Sequence, residues 1–240
     1  MGNIYVGTSG FSYREWLGRF YPRGLKGLDL LDYYAARFNA VELNNTFYQL
    51  PAAATLASWR DSVGPDFRFA VKAGQRITHR QDCGIPGGYF ESFLDRIALL
   101  GGKLGPVLFQ FPPAAGDPQR IMAFIAHLEE LLPSRPPLTP VIELRNPKLL
   151  NQNFIAILHG HHVNLCINDA YLKPGDWPEP LETVYLRLRN SPYDTEYLKN
   201  VAVKLRQWSG QGKDCYVFFK HEDAAPELAQ EMQAILRDKF

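Results

Sequence analysis

Hydrophobic and polar positions change their period at short intervals along this chain. Brief runs rich in Val, Ile, Leu, Tyr and Phe alternate with longer stretches whose apolar residues recur at helical spacing. Ile4-Tyr5-Val6-Gly7-Thr8 reads as a first strand, and after a loop from Ser9 to Gly27 the stretch Leu28 to Phe38 reads as an amphipathic helix. Ala40-Val41-Glu42-Leu43-Asn44 predicts a second strand and Ala54 to Val63 a second helix. The pattern then repeats. Strands are predicted at 67–72, 105–111, 141–145, 163–167, 184–188 and 215–220. Helices are predicted at 89–100, 120–132, 149–159, 196–208 and 226–239, with a Pro- and Trp-rich loop after the sixth strand. Pro106 falls at the start of the fourth strand, where no ladder donor is yet needed. Pro226 suits a first helical turn.

Eight strand-helix units of roughly 30 residues each match the arithmetic of a (β/α)8 TIM barrel. A doubly wound open sheet is the alternative, but its glycine fingerprint is missing from the first turn, which reads Gly7-Thr8-Ser9-Gly10. No linker, low-complexity tract or break in composition divides residues 1–240, so one α/β domain is expected.

A barrel of this type keeps its chemistry at the C-terminal ends of its strands. The polar residues predicted there are numerous. Glu42 and Asn44 share a face by period two, as do Glu143 and Arg145, and Arg187 and Arg189. Their neighbours Leu43, Leu144, Leu186 and Leu188 suit packing against helices. Charges inside a strand are costly to bury unpaired. Glu42 and Glu143 are therefore expected to pair with Lys72, Arg145 and Arg187. Glu42, Glu143 and Lys72 are the candidate catalytic groups. Thr8, Ser9, Trp16, Asn44, Tyr48, His79, Gln110, Arg145, Asp169, Arg187 and Lys220 are the candidate substrate-binding residues. Cations outnumber carboxylates in this set, which points to a small anionic ligand, a phosphate or a carboxylate. Glu42, Glu143, Asp169 and His221 could chelate a divalent metal, but no HxxE, HxH or HExxH spacing supports a metal site. Nothing identifies a cofactor. No nucleophile elbow or Walker loop is present.

The first loop is long and crowded with Phe11, Tyr13, Trp16, Phe20 and Tyr21. It is either a hydrophobic plug for the barrel or a stacking wall for a sugar or base. Formal charge is +1, so no bulk attraction to nucleic acid or anionic membrane follows. Three widely spaced cysteines, Cys83, Cys166 and Cys215, argue against a disulfide framework. No apolar run approaches the roughly 20 residues of a spanning helix, and the first residues lack the pattern of a secretion signal. A cytoplasmic chain without a membrane partner is expected.

Several stretches together make the sequence similar to one family. They are Gly7-Thr8-Ser9-Gly10-Phe11-Ser12-Tyr13 with Trp16 and Phe20-Tyr21-Pro22, then Tyr33-Tyr34-Ala35 with Phe38. Next come Val41-Glu42-Leu43-Asn44 with Thr46-Phe47-Tyr48, and Phe67-Arg68-Phe69 with Lys72 and Ile77-Thr78-His79. Leu104-Gly105-Pro106 with Gln110 and Pro112-Pro113, and Glu143 with Arg145, complete the set. The chain resembles the YecE-like family, domain of unknown function 72. The resemblance implies a TIM barrel and leaves the activity open. Two elements depart from the family pattern. Asn146-Pro147-Lys148 stands where Ser-Trp often follows, and Arg189-Asn190 stands where His-Gly often follows the strand-seven arginine. Any role of that histidine cannot be carried over.

Three functions follow as expectations. The first is an enzyme using general acid and base chemistry on a small anionic or phosphorylated sugar-like substrate. The second is a nucleic-acid-binding or endonuclease-like barrel. The third is a non-catalytic module whose charged mouth is structural. Oligomeric state is not legible in the sequence.

Overall fold

The computed structural model describes residues 1–114, 117–220 and 223–238. Eight parallel strands alternate with helices. The strands are β1 (Ile4–Thr8), β2 (Ala40–Leu43), β3 (Arg68–Lys72) and β4 (Leu104–Phe111), then β5 (Pro140–Leu144), β6 (Asn164–Asn168), β7 (Thr183–Leu188) and β8 (Asp214–Phe219). The helices are α1 (Leu28–Ala35), α2 (Ala53–Ser62), α3 (Gln75–Thr78), α4 (Tyr89–Ile97) and α5 (Pro118–Leu131), then α6 (Gln152–Gly160), α7 (Thr195–Gly210) and α8 (Ala225–Arg237). The predicted strands recur within one or two residues. The one-turn α3 lies in a stretch that reads as loop, because four residues carry no periodic signal. Between β6 and β7 there is only a short 3-10 turn, Pro174–Asp176, as the Pro-rich sequence predicts.

Hydrogen-bonded ladders run β1-β8-β7-β6-β5-β4-β3-β2. The remaining seam, between β1 and β2, closes largely through side chains. Asn39 Oδ1 accepts from the Val6 backbone N–H at 2.8 Å, and its Nδ2 donates to the Ile4 carbonyl at 2.9 Å. The Tyr34 hydroxyl accepts from the Thr8 N–H at 2.8 Å and donates to the Ala40 carbonyl at 3.1 Å. Gly7 permits this approach: a Cβ there would lie 1.9 Å from the Ala40 carbonyl oxygen. Above the seam, Ser9 pairs with Glu42 in a single parallel bridge.

Alternation along the strands sorts residues to two cores. Outward-facing Leu43, Leu144, Leu186 and Leu188 join the shell under the helices. Inward-facing Tyr5, Ala40, Ala70, Leu108, Val141, Cys166, Tyr185, Tyr216 and Phe218 fill the lower barrel. Large rings on β1, β7 and β8 face small residues on β2 and β3, so the interior fills without a channel. The first loop does not close the barrel mouth; its rings pack into the shell between the strands and the helices. Phe11, Trp16, Phe20 and Tyr21 are buried, and Phe20 stacks on Phe38 of the stretch after α1 at 5.6 Å between ring centroids.

Candidate functional site

The next inward positions toward the C-terminal end of the strands are ionic. Arg187, 4% exposed, lies between two fully buried carboxylates. Its Nη2 donates to Glu42 Oε1 at 2.9 Å, and its Nη1 donates to Glu143 Oε2. Glu42 Oε1 also accepts from Ser9 Oγ at 2.5 Å and from Arg189 Nη2 at 3.0 Å, while Oε2 accepts from the Tyr185 hydroxyl at 2.7 Å. Glu143 Oε1 accepts from Asn168 Nδ2 at 2.9 Å and from Arg145 Nε at 3.2 Å; Oε2 takes a further bond from Gln110 Nε2 at 2.8 Å.

Burial by itself would raise both carboxyl pKa values. The guanidinium groups and hydrogen-bond donors outweigh it. Glu42 is held well below the usual carboxylate range, chiefly by Arg187 and Arg189. Glu143 is held at about 2 by Arg187, Gln110 and Arg145. The same balance keeps Arg187 charged: burial lowers its pKa, but Glu143 and Glu42 raise it well above its ordinary value. Burial and the Glu42 charge push the Tyr185 hydroxyl up, so it stays a donor.

Above this layer opens a cavity of about 910 Å³. Among the described residues Lys72, Arg145, Arg187, Arg189 and Lys220 line it, and no carboxylate does. Ser9, Asn44, Tyr48, His79 and Gln110 also reach it, as the sequence suggests. Lys72 Nζ sits 4.0 Å from the centroid of the Phe47 ring. Burial, followed by repulsion from Arg187, lowers its pKa to about 8. His79 packs edge-on to the same ring at 5.0 Å between centroids, with its Nδ1 2.9 Å from the Thr78 hydroxyl. Burial and Lys72 lower its pKa. Three buried polar atoms of cavity residues have no hydrogen-bond partner among the described residues: Arg187 Nε, Arg189 Nη1 and Asn44 Oδ1.

Five candidates stand elsewhere than at the cavity wall. Glu42 and Glu143 lie beneath it, with both oxygens of each already accepting bonds. Thr8 is committed to the seam through Tyr34 and the Gly10 carbonyl. Trp16, 1% exposed, is buried in the aromatic cluster of the outer shell, and Tyr13 lines the cavity from that loop instead. Asp169 accepts from the Arg189 backbone N–H at 2.6 Å and from the Tyr193 hydroxyl, so it shapes the loop after β7. It borders a separate pocket of about 250 Å³. Arg189 and Tyr185 were not among the candidates, although both share the period-two face of Arg187. Tyr171 also lines the cavity, from a loop without periodicity that could have flagged it. Among the described residues no set of three or more His, Cys, Asp or Glu converges as metal ligands, and His221 lies outside them.

The family model described as "Protein of unknown function DUF72" matches residues 5–240, and the chain belongs to that family. It is 29% identical over 172 residues to the UPF0759 protein YecE of Escherichia coli K12, a match covering 70% of this chain and 59% of that protein. It is 33% identical over 116 residues to the UPF0759 protein YunF of Bacillus subtilis strain 168, covering 46% of this chain and 40% of the relative. The chain thus matches less than two thirds of the length of either relative. A DUF72 family protein of Thermotoga maritima MSB8 superposes with a TM-score of 0.77 at 26% identity, over 98% of this chain and 100% of that one. One from Enterococcus faecalis V583 gives 0.79 at 22% identity, over 100% and 99%. Among the described residues no helix is long and apolar enough to cross a membrane.

Proposed function

We propose that this DUF72 protein is an enzyme that binds a small anionic substrate, a phosphorylated or carboxylated sugar-like molecule, and moves protons on it at the C-terminal mouth of the barrel. One observation carries the reading: among the described residues five cationic side chains and no carboxylate line the cavity, while the carboxylates that bond Arg145, Arg187 and Arg189 lie underneath. Arg187 Nε and Arg189 Nη1, without acceptors among the described residues, are donors available to a ligand. Leaving each unpaired costs on the order of 1–3 kcal/mol, which an oxyanion ligand would relieve.

The proton roles follow from the same geometry. Glu42 and Glu143 are ionised and fully engaged, so they act as positioning residues that fix Arg187 and Arg189. Proton transfer falls to Lys72 and His79, which flank Phe47 and whose lowered pKa values put their neutral forms within reach at ordinary pH. Tyr48, largely exposed, offers a flat apolar face for a sugar ring.

The test is calorimetric titration with inorganic phosphate and with a panel of sugar phosphates and sugar acids. Lys72 is charged below about pH 8 and neutral above it. Anion affinity should therefore fall as pH rises through 8, by about tenfold, and Lys72→Gln should flatten that profile. Turnover of any substrate found should rise over the same range and be lost in Lys72→Gln. An absence of binding by every anion, or an unchanged pH profile in the variant, refutes the proposal. Tighter binding of long single-stranded oligonucleotides than of any small anion, with a steep salt dependence, would favour the nucleic-acid alternative instead.

A further inference from the structure

We infer that the ligand of the cationic cavity is an amphipathic anion whose uncharged aryl or acyl portion occupies a second pocket beside it. The inference rests on the anion reading above and specifies its substrate class. The second pocket, of about 680 Å³, lies between the first loop, the end of β2 and the face of α2. Phe11, Leu43 and Trp59 supply apolar wall, and among the described residues no charged side chain lines it. The Phe11 and Trp59 rings meet edge-on at 5.8 Å between centroids, which gives a preformed corner.

Position connects the two spaces. Tyr13, Asn44 and Asn45 line both, so the cationic cavity and the apolar pocket share one wall. Asn44 has a divided commitment at this wall. Its Nδ2 donates to Glu42 Oε1 at 3.2 Å, and its Oδ1 is buried without a donor among the described residues. A ligand N–H or O–H at the junction would supply that bond. The chemistry read from the protein is thus ordered along the ligand: an oxyanion head on the guanidinium groups, a hydrogen-bond donor next to it, then an apolar group against Trp59. A sugar phosphate without such a group would leave the apolar pocket unused.

The test compares paired probes by isothermal titration of the whole protein: inorganic phosphate with phenyl phosphate, and acetate with phenylacetate. The aryl member of a pair should bind on the order of ten- to a hundredfold more tightly, the gain from burying one ring. Ser58→Phe and Ala54→Phe each place a ring into the apolar pocket from an exposed position on α2, so neither disturbs the core. Both should remove the aryl gain. Equal affinities within each pair, with the parent anions bound, overturn this inference and leave the anion reading standing. A gain retained in both variants also overturns it, because the ring then sits elsewhere. Failure of all four probes to bind removes the anion reading and this inference together.

Discussion

Two layers of the barrel interior are built on the same strands and differ completely. In the lower layer Ala40, Val141, Cys166 and Tyr185 pack against one another with no ion among them. Two residues further along the same strands stand Glu42, Glu143, Asn168 and Arg187, joined by hydrogen bonds and ion pairs and almost equally buried. Tyr185 belongs to both: its ring lies in the apolar layer and its hydroxyl reaches Glu42. Burial at the two heights thus has opposite physical bases. The lower layer is stabilised by apolar area and tight packing. The upper layer is tolerable only because each charge has its counter-charge and its hydrogen bonds. What it gains is a rigid floor that aims guanidinium nitrogens at the cavity.

The contrast breaks most severely at Arg187. Arg187→Met should cost about 3–5 kcal/mol by chemical denaturation, since it removes the buried cation shared by both carboxylates and leaves Glu42 with Arg189 and Glu143 with Arg145 as their remaining counter-charges. It should also abolish anion binding. A loss below 1 kcal/mol would mean that the upper layer is not held by this charge. Leu108→Ala in the lower layer should cost about 2–4 kcal/mol through the cavity it leaves. Anion affinity should fall far less than in Arg187→Met by titration, because Leu108 lies beside Lys72 in the strand register but is not itself part of the cavity wall. The smallest effect is expected from acid. Glu143 has its pKa depressed from 4.5 to about 2, so its contribution is present above 4.5 and is lost as pH falls from there toward 2. Stability should decline across that window by on the order of 2 kcal/mol. Glu143→Gln should show a shallower decline, and parallel slopes would place the acid sensitivity elsewhere.

Much of the candidate site is legible in the sequence. Alternation around Leu144 and Leu186 put Glu143, Arg145 and Arg187 on the inner face, and the structure places them there. Depth was not legible. Glu42 and Lys72 both lie at strand ends, yet one is sealed beneath the cavity and the other lines it. Strand tilt and stagger set the height of each residue, and neither leaves a mark in a local pattern. Trp16 misled for a related reason: an aromatic in a long loop reads alike whether it packs into the shell or lines a pocket.

The sequence by itself determined the strand-helix alternation, the barrel and the inward face of each strand, because these depend on periodicities of two and 3.6 within a few residues. Only the tertiary structure decided which charges meet. The Arg187–Glu42 pair joins residues 145 positions apart. The cationic cavity, its carboxylate floor and the adjoining apolar pocket exist because barrel closure brings distant strand ends within hydrogen-bond reach, and such distances are set by the fold as a whole.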